Sequence, residues 1–133
     1  MKYIFLIRHG HTDMCQVKKE VGQNRDVSLN IIGRQQIMLL TSYLSLYNIK
    51  QIYVSPLKRT IESLNIIINK LDCSPNIIRD KRVLNKEEYK GEYKKNIISL
   101  LDEIKEISGN IIIITHGRII KMIRKYIETN DIP

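Results

Sequence analysis

Apolar runs and apolar periodicities alternate along this chain. Tyr3-Ile4-Phe5-Leu6-Ile7 is a continuous apolar run that stops abruptly at Arg8-His9. Such a run reads as a buried parallel strand. Residues 11–26 follow as a polar loop, with Gly22, Asn24 and Asp26 as turn formers. Over residues 28–47, Leu29, Ile32, Leu39, Leu40, Tyr43, Leu44 and Tyr47 recur at spacings of three and four. That spacing predicts a helix with these residues on its core face, stopping at Asn48. Residues 51–54 form a short second strand ending at Ser55-Pro56. Proline suits a helix start and Ser55 is a natural cap, so a second helix is expected over 57–70.

Beyond a turn around Pro75, residues 76–84 include a third, edge-like strand, and 85–95 read as a charged loop or an irregular helix start. Ile97, Ile98, Leu101, Ile104 and Ile107 then mark one face of an amphipathic helix, with Gly109 closing it. Ile111-Ile112-Ile113-Ile114 is the strongest strand signal in the chain. It ends at Thr115-His116-Gly117, and a last helix is expected over 118–128. This order predicts an α/β fold, a three-layer α/β/α sandwich around a mostly parallel sheet. Neither a repeat nor a linker interrupts it, so residues 1–133 read as a single domain.

Chemistry gathers where the strands stop. The first expected strand delivers Arg8 and His9, the second leads through Ser55-Pro56 to Arg59, and the Ile111-Ile114 run ends at His116. In a doubly wound sheet these carboxyl ends line one edge and can converge. Two arginines and two histidines around one point suit a phosphoryl group, since arginine stays charged and bonds phosphate oxygens in pairs.

Composition narrows the partners. The formal charge is +8, with 43% hydrophobic and 27% charged residues. The excess favours anionic partners. The basic residues are scattered and few aromatics stand beside them, which argues against a nucleic-acid platform. Cys15 and Cys73 fit no zinc or redox spacing, so reduced thiols in a cytoplasmic setting are expected. Arg8, His9 and His11 break the N-terminal apolar stretch too early for a signal peptide, and no segment has the length of a membrane span.

The ordered motifs resemble the histidine phosphatase superfamily, in its phosphoglycerate-mutase-like branch. Leu6-Ile7-Arg8-His9-Gly10-His11-Thr12 is similar to the family's Arg-His-Gly signature. Gly22 to Asp26, Ser28-Leu29-Asn30 and Gly33 to Gln36 are similar to its Gly-x-x-x-Asp-x-Pro-Leu-Thr-x-x-Gly-x-x-Gln segment. Ser55-Pro56-Leu57-Lys58-Arg59-Thr60 and Thr115-His116-Gly117 match two further motifs in the family's order.

The resemblance implies a metal-independent phosphatase without a cofactor, in which His9 attacks phosphorus and carries the phosphoryl group. Arg8, Arg59 and His116 would hold the phosphoryl oxygens, with Gly22 and Gln23 lending backbone amides. The family's acid lies in a Leu-x-Glu-x-x-x-Gly-x-aromatic pattern. Counting back from Gly91 selects Glu87, counting forward from Leu84 lands on Lys86, and Glu88 is the reserve.

Two positions depart from the pattern. Cys15 stands where many relatives have Asn, and His11 where they often have Glu or Gln. A thiol is a poor donor, which weakens that part of the pocket. Relatives usually continue past the last helix into a further strand, so either the sheet lacks that last strand, which would expose an edge that invites dimer formation, or the sequence is cut short. The expected partner is a small phosphorylated substrate or a phosphoprotein, with the chain a monomer or homodimer. Small relatives such as α-ribazole phosphatases and phosphohistidine phosphatases both fit, and the acidic loop is closer to the former. The competing readings are a non-catalytic phosphate- or phosphopeptide-binding module and a mutase-type phosphotransferase.

Overall fold

The computed structural model describes residues 2–13, 26–84 and 93–130. Four strands, β1 (Ile4–Arg8), β2 (Ile49–Val54), β3 (Asn76–Arg79) and β4 (Asn110–Thr115), form one sheet in the order β1-β4-β2-β3. Every pairing is parallel. Four helices within the described residues connect and cover the strands: α1 (Ile31–Leu44), α2 (Lys58–Ile68), α3 (Tyr93–Lys105) and α4 (Gly117–Asn130), with a 3-10 turn at Lys81–Val83.

The strand residues alternate between two cores. Ile112 and Ile114 pack with Ile37, Leu44, Leu64 and Ile67 on the α1–α2 side. Ile111 and Ile113 pack with Leu100, Leu101, Ile104, Ile119 and Ile123 on the α3–α4 side. That is why the isoleucine run of β4 is continuous: both faces are buried. The result is the expected three-layer sandwich. Among the described residues, no helix is long and apolar enough to cross a membrane.

Three expectations are corrected. β1 is not a fully buried strand; it pairs only with β4 among the described residues, and of its side chains Ile7 alone is buried. The core face of α1 is Gly33, Ile37, Thr41 and Leu44, whereas Ile32, Leu39 and Tyr43 are exposed. Ser55 does not cap α2. The cap position is Leu57, whose N–H is met by Thr60 Oγ1 at 3.3 Å. Smaller shifts concern helix ends: α3 stops at Lys105, and Gly109, at φ 124°, turns the chain into β4 instead of closing the helix. The edge position of β3 is as expected.

One contact sets how α1 meets the sheet. A Cβ on Gly33 would lie 2.2 Å from the His11 carbonyl oxygen, and one on Gly10 2.6 Å from the Gly33 oxygen. The loop after β1 therefore lies directly on the first turn of α1, where only glycine permits the approach. Asn30 caps that helix, accepting from Gly33 N–H at 2.8 Å, while its own N–H donates to His11 O at 3.0 Å.

Candidate active site

The carboxyl ends of β1, β2 and β4 lie side by side, because Arg8 registers with Thr115 and Val54 with Ile114. His9 N–H donates to Thr115 O at 3.1 Å, and Ser55 N–H donates to Ile114 O at 3.0 Å. These two bonds continue the ladders for one residue past the strands. They hold His9 and Ser55 on either side of the chain that leads into His116.

The two histidines meet here, with ring centroids 5.5 Å apart at an interplanar angle of 61°. His9 Nδ1 lies 2.7 Å from the Gly10 carbonyl oxygen. A carbonyl only accepts, so Nδ1 carries the hydrogen and Nε2 of the neutral ring keeps its lone pair. Burial lowers the His9 pKa from 6.5 to about 4, with Arg59 and then Arg8 adding to the depression. His116 falls further, to about 2, again by burial first and then by Arg59, His9 and Arg8. Both rings are therefore neutral near pH 7.

His116 is buried beside Ser55, with Nε2 2.8 Å from the serine Oγ. Its Nδ1 meets no hydrogen-bond partner among the described residues. Arg59 is 1% exposed, in the first turn of α2, whereas Arg8 is exposed at the end of β1. The Arg8 guanidinium reaches across to within 3.9 Å of a Cβ position on Gly117, the first residue of α4. The cluster thus sits at the N-terminal ends of α2 and α4, where free amides and the helix dipoles favour an anion.

Smaller residues lock this arrangement. Gly10 N–H donates to Ser63 Oγ at 3.2 Å, and that hydroxyl donates to Arg59 O at 2.8 Å. The nucleophile loop and the arginine helix are thereby tied together. Gln36 Oε1 accepts from His11 N–H at 3.0 Å, and Asn30 Nδ2 lies 2.9 Å from His11 Nδ1. Neither Ser63 nor the Ser55–His116 contact was anticipated from the sequence. For Ser55 a signal existed, a small polar residue immediately after a buried strand that neighbours β4.

A cavity of about 340 Å³ opens beside His9, lined by Arg8, Gly10, His11, Gln36, Ile37 and Leu40. Its base is cationic and polar and its α1 wall is apolar. A larger hollow, about 590 Å³, lies between α3 and α4 and includes no residue of these motifs.

Arg8, His9, Arg59 and His116 are thus brought together, with His11 at the cavity rim. Cys15, Gly22, Gln23, Glu87 and Glu88 lie outside the described residues. Thr115 Oγ1 donates to Val83 O at 2.5 Å. The chain therefore enters residues 85–92 from a point fixed next to His116. Arg82, in the 3-10 turn before that segment, grips the Asp80 carboxylate and reaches Glu103, which ties the turn to α3.

Solved structures with the same fold include YhfR of Bacillus stearothermophilus, at a TM-score of 0.76 and 19% identity over 100% of this chain and 82% of that one. A phosphoglycerate mutase of Bacillus anthracis gives a TM-score of 0.77 at 16% identity, covering 98% of this chain and 81% of the other. The protein histidine phosphatase SixA, complexed with tungstate, gives 0.68 at 16% identity over 93% and 75%. No curated protein matches by sequence. Residues 4–99 match the sequence profile described as the Histidine phosphatase superfamily (branch 1), a span that carries Arg8, His9 and Arg59. With that match over most of its length, the chain belongs to the histidine phosphatase superfamily.

Proposed function

We propose that this protein is a phosphatase that hydrolyses phosphomonoesters through a phosphohistidine on His9. Membership in a superfamily that holds phosphatases and a phosphoglycerate mutase supports an enzyme that transfers phosphoryl groups. The observation that carries the reading is the state of His9. Its Nδ1–H is held by Gly10 O, its ring is neutral, and two arginines and a second neutral histidine surround it.

His9 Nε2 attacks phosphorus, the N–P bond forms, and the bond to the ester oxygen breaks. The departing oxygen takes a proton from a carboxylic acid, for which Glu87 is the first candidate and Glu88 the second. Water, deprotonated by the same carboxylate, then displaces phosphate from His9. Arg8 and Arg59 neutralise the charge that builds on the equatorial oxygens. His116, oriented by Ser55, offers a further donor. The tungstate in the SixA complex is an oxyanion of the kind such a cluster suits. The apolar wall of Ile37 and Leu40 fits a substrate with an organic part beside its phosphate.

Hydrolysis of an aryl phosphate, with a strong chelator present, tests this reading. The rate is expected to be unaffected by chelator and to fall at least ~10³-fold in His9→Ala. Acid-labile, base-stable label on the protein should appear on rapid mixing with labelled substrate. Phosphate binding without turnover would make the protein a binding module instead. Activity undiminished in the variant would remove His9 from its role.

A further inference from the structure

Gly33 and Gln36 stand about one turn apart on α1, and both meet the backbone of the loop that follows β1. Gly33 lets the helix come into contact with His11. Gln36, on the same side of the helix, then reaches that backbone with its amide, whose Oε1 accepts from the His11 N–H at 3.0 Å. That N–H belongs to the peptide unit whose other end is the Gly10 carbonyl, and this carbonyl lies 2.7 Å from His9 Nδ1. One peptide plane thus joins Gln36 to the ring of His9. The peptides on either side of it are pinned separately. Gly10 N–H donates to Ser63 Oγ at 3.2 Å, and His11 O accepts from Asn30 N–H at 3.0 Å.

The middle plane is the one with freedom to turn. A peptide between two fixed neighbours rotates by compensating changes in ψ of Gly10 and φ of His11, and glycine, lacking a Cβ, admits both orientations. Turned over, the unit presents its N–H to His9 in place of its carbonyl. An N–H facing Nδ1 needs a lone pair there, so the hydrogen of the neutral ring moves to Nε2 and blocks the nitrogen that must attack. We propose that Gln36 is a positioning residue that holds the Gly10–His11 peptide with its carbonyl on His9, and so keeps the attacking lone pair on Nε2. This role rests on the phosphohistidine reading of His9. The same bond acts in a second way, because a peptide whose N–H donates has a stronger acceptor in its carbonyl. The pairing of Gly33 with Gln36 then has one purpose. The glycine brings α1 onto the loop, and the glutamine grips the peptide that sets the tautomer of His9.

Gln36→Leu removes the acceptor at an exposed position and keeps most of the side-chain bulk. Nitrogen NMR of the resting protein with isotope-labelled histidine, His9 being assigned by comparison with His9→Ala, reads the tautomer directly. Wild type should show a protonated Nδ1 and a bare Nε2. In Gln36→Leu the two nitrogen shifts should draw together as the second tautomer becomes populated. The kcat for an aryl phosphate should fall about 5-fold, the population factor that one ordinary hydrogen bond supports, with KM within about 2-fold and the urea midpoint unchanged. Gln36→Glu keeps an oxygen at the same reach and should restore the wild-type shifts. A His9 tautomer unmoved in Gln36→Leu overturns the proposal. So does a loss confined to KM, which would make Gln36 a substrate contact. Because the tautomer is read without turnover, the two readings separate. A wild type that hydrolyses no phosphoester, with a tautomer that still responds to Gln36, removes the phosphatase reading and upholds the hold of Gln36 on His9.

Discussion

His9 and His116 meet edge to face, 5.5 Å between ring centroids, because the β1–β4 register places Arg8 opposite Thr115. Two imidazoles this close, buried and flanked by arginines, cannot both be charged. Their folded pKa values lie below the unfolded 6.5, at about 4 for His9 and about 2 for His116. As pH falls below 6.5 the unfolded chain takes up protons that the folded chain refuses. Stability is then complete above pH 6.5 and declines as pH falls toward 4. At pH 5 the loss is about 2 kcal/mol for each histidine. Urea unfolding at pH 7.5 and pH 5 should show the lower midpoint at pH 5, and His116→Gln should remove roughly half of that difference. Equal midpoints at the two pH values would mean that the rings are not held neutral.

Arg8 and Arg59 act on the same imidazoles from different depths, one exposed and one buried. Arg8→Ala should therefore cost about 10²-fold in kcat/KM. Its unfolding free energy should stay within about 0.5 kcal/mol of wild type, since little packing is lost. Replacing Arg59 by Met keeps the buried volume and removes the charge. The His9 pKa should then rise from about 4, because a cation that disfavoured the imidazolium is gone. Imidazole proton titration by NMR reads this directly, and an unmoved His9 would place Arg59 outside its electrostatic reach.

Much of this arrangement was legible in the chain, and the exceptions share a physical cause. β4 could be read from four consecutive isoleucines, and its end at His116 followed. α1 could not be oriented by periodicity, because apolar residues surround it: Ile31, Ile32, Ile37, Met38, Leu39, Leu40 and Tyr43 allow several faces at spacings of three and four. Its rotation is set instead by the backbone contact between Gly33 and His11, a long-range approach that no local pattern encodes. Serine before proline usually caps a helix, so the local sequence alone makes Ser55 a cap. The ladder bond from Ser55 N–H to Ile114 O turns its hydroxyl to His116 instead.

That hydroxyl carries a prediction of its own. Ser55 Oγ, 2.8 Å from His116 Nε2, fixes the ring of a histidine proposed to meet phosphoryl oxygens. Ser55→Ala leaves a buried ring nitrogen without its partner, a cost of about 1–2 kcal/mol. If that cost falls on orientation in the transition state, kcat drops about 10-fold while KM changes little. The conservative Ser55→Thr keeps the hydroxyl and should recover part of the loss. A fall confined to KM would show that Ser55 serves ground-state binding instead.

The glycine contact that orients α1 also bears on catalysis. Gly33 meets the backbone of His11, two residues beyond His9, so a Cβ at position 33 has no flexible side chain to push aside. It would sit 2.2 Å from one backbone atom and 2.6 Å from another, and either α1 or the loop must move. Overpacking of this kind costs roughly 1–3 kcal/mol. The displaced loop carries the Gly10 carbonyl that holds His9 Nδ1 and the Gly10 N–H that binds Ser63. Gly33→Ala should therefore lower the urea midpoint and also reduce kcat in the fraction that stays folded. Ser42→Ala, an exposed change on the same helix, should do neither, and it controls for general effects on α1. If Gly33→Ala lowers stability but leaves the kcat of folded protein intact, the loop absorbs the strain without moving His9. The close approach would then serve packing alone.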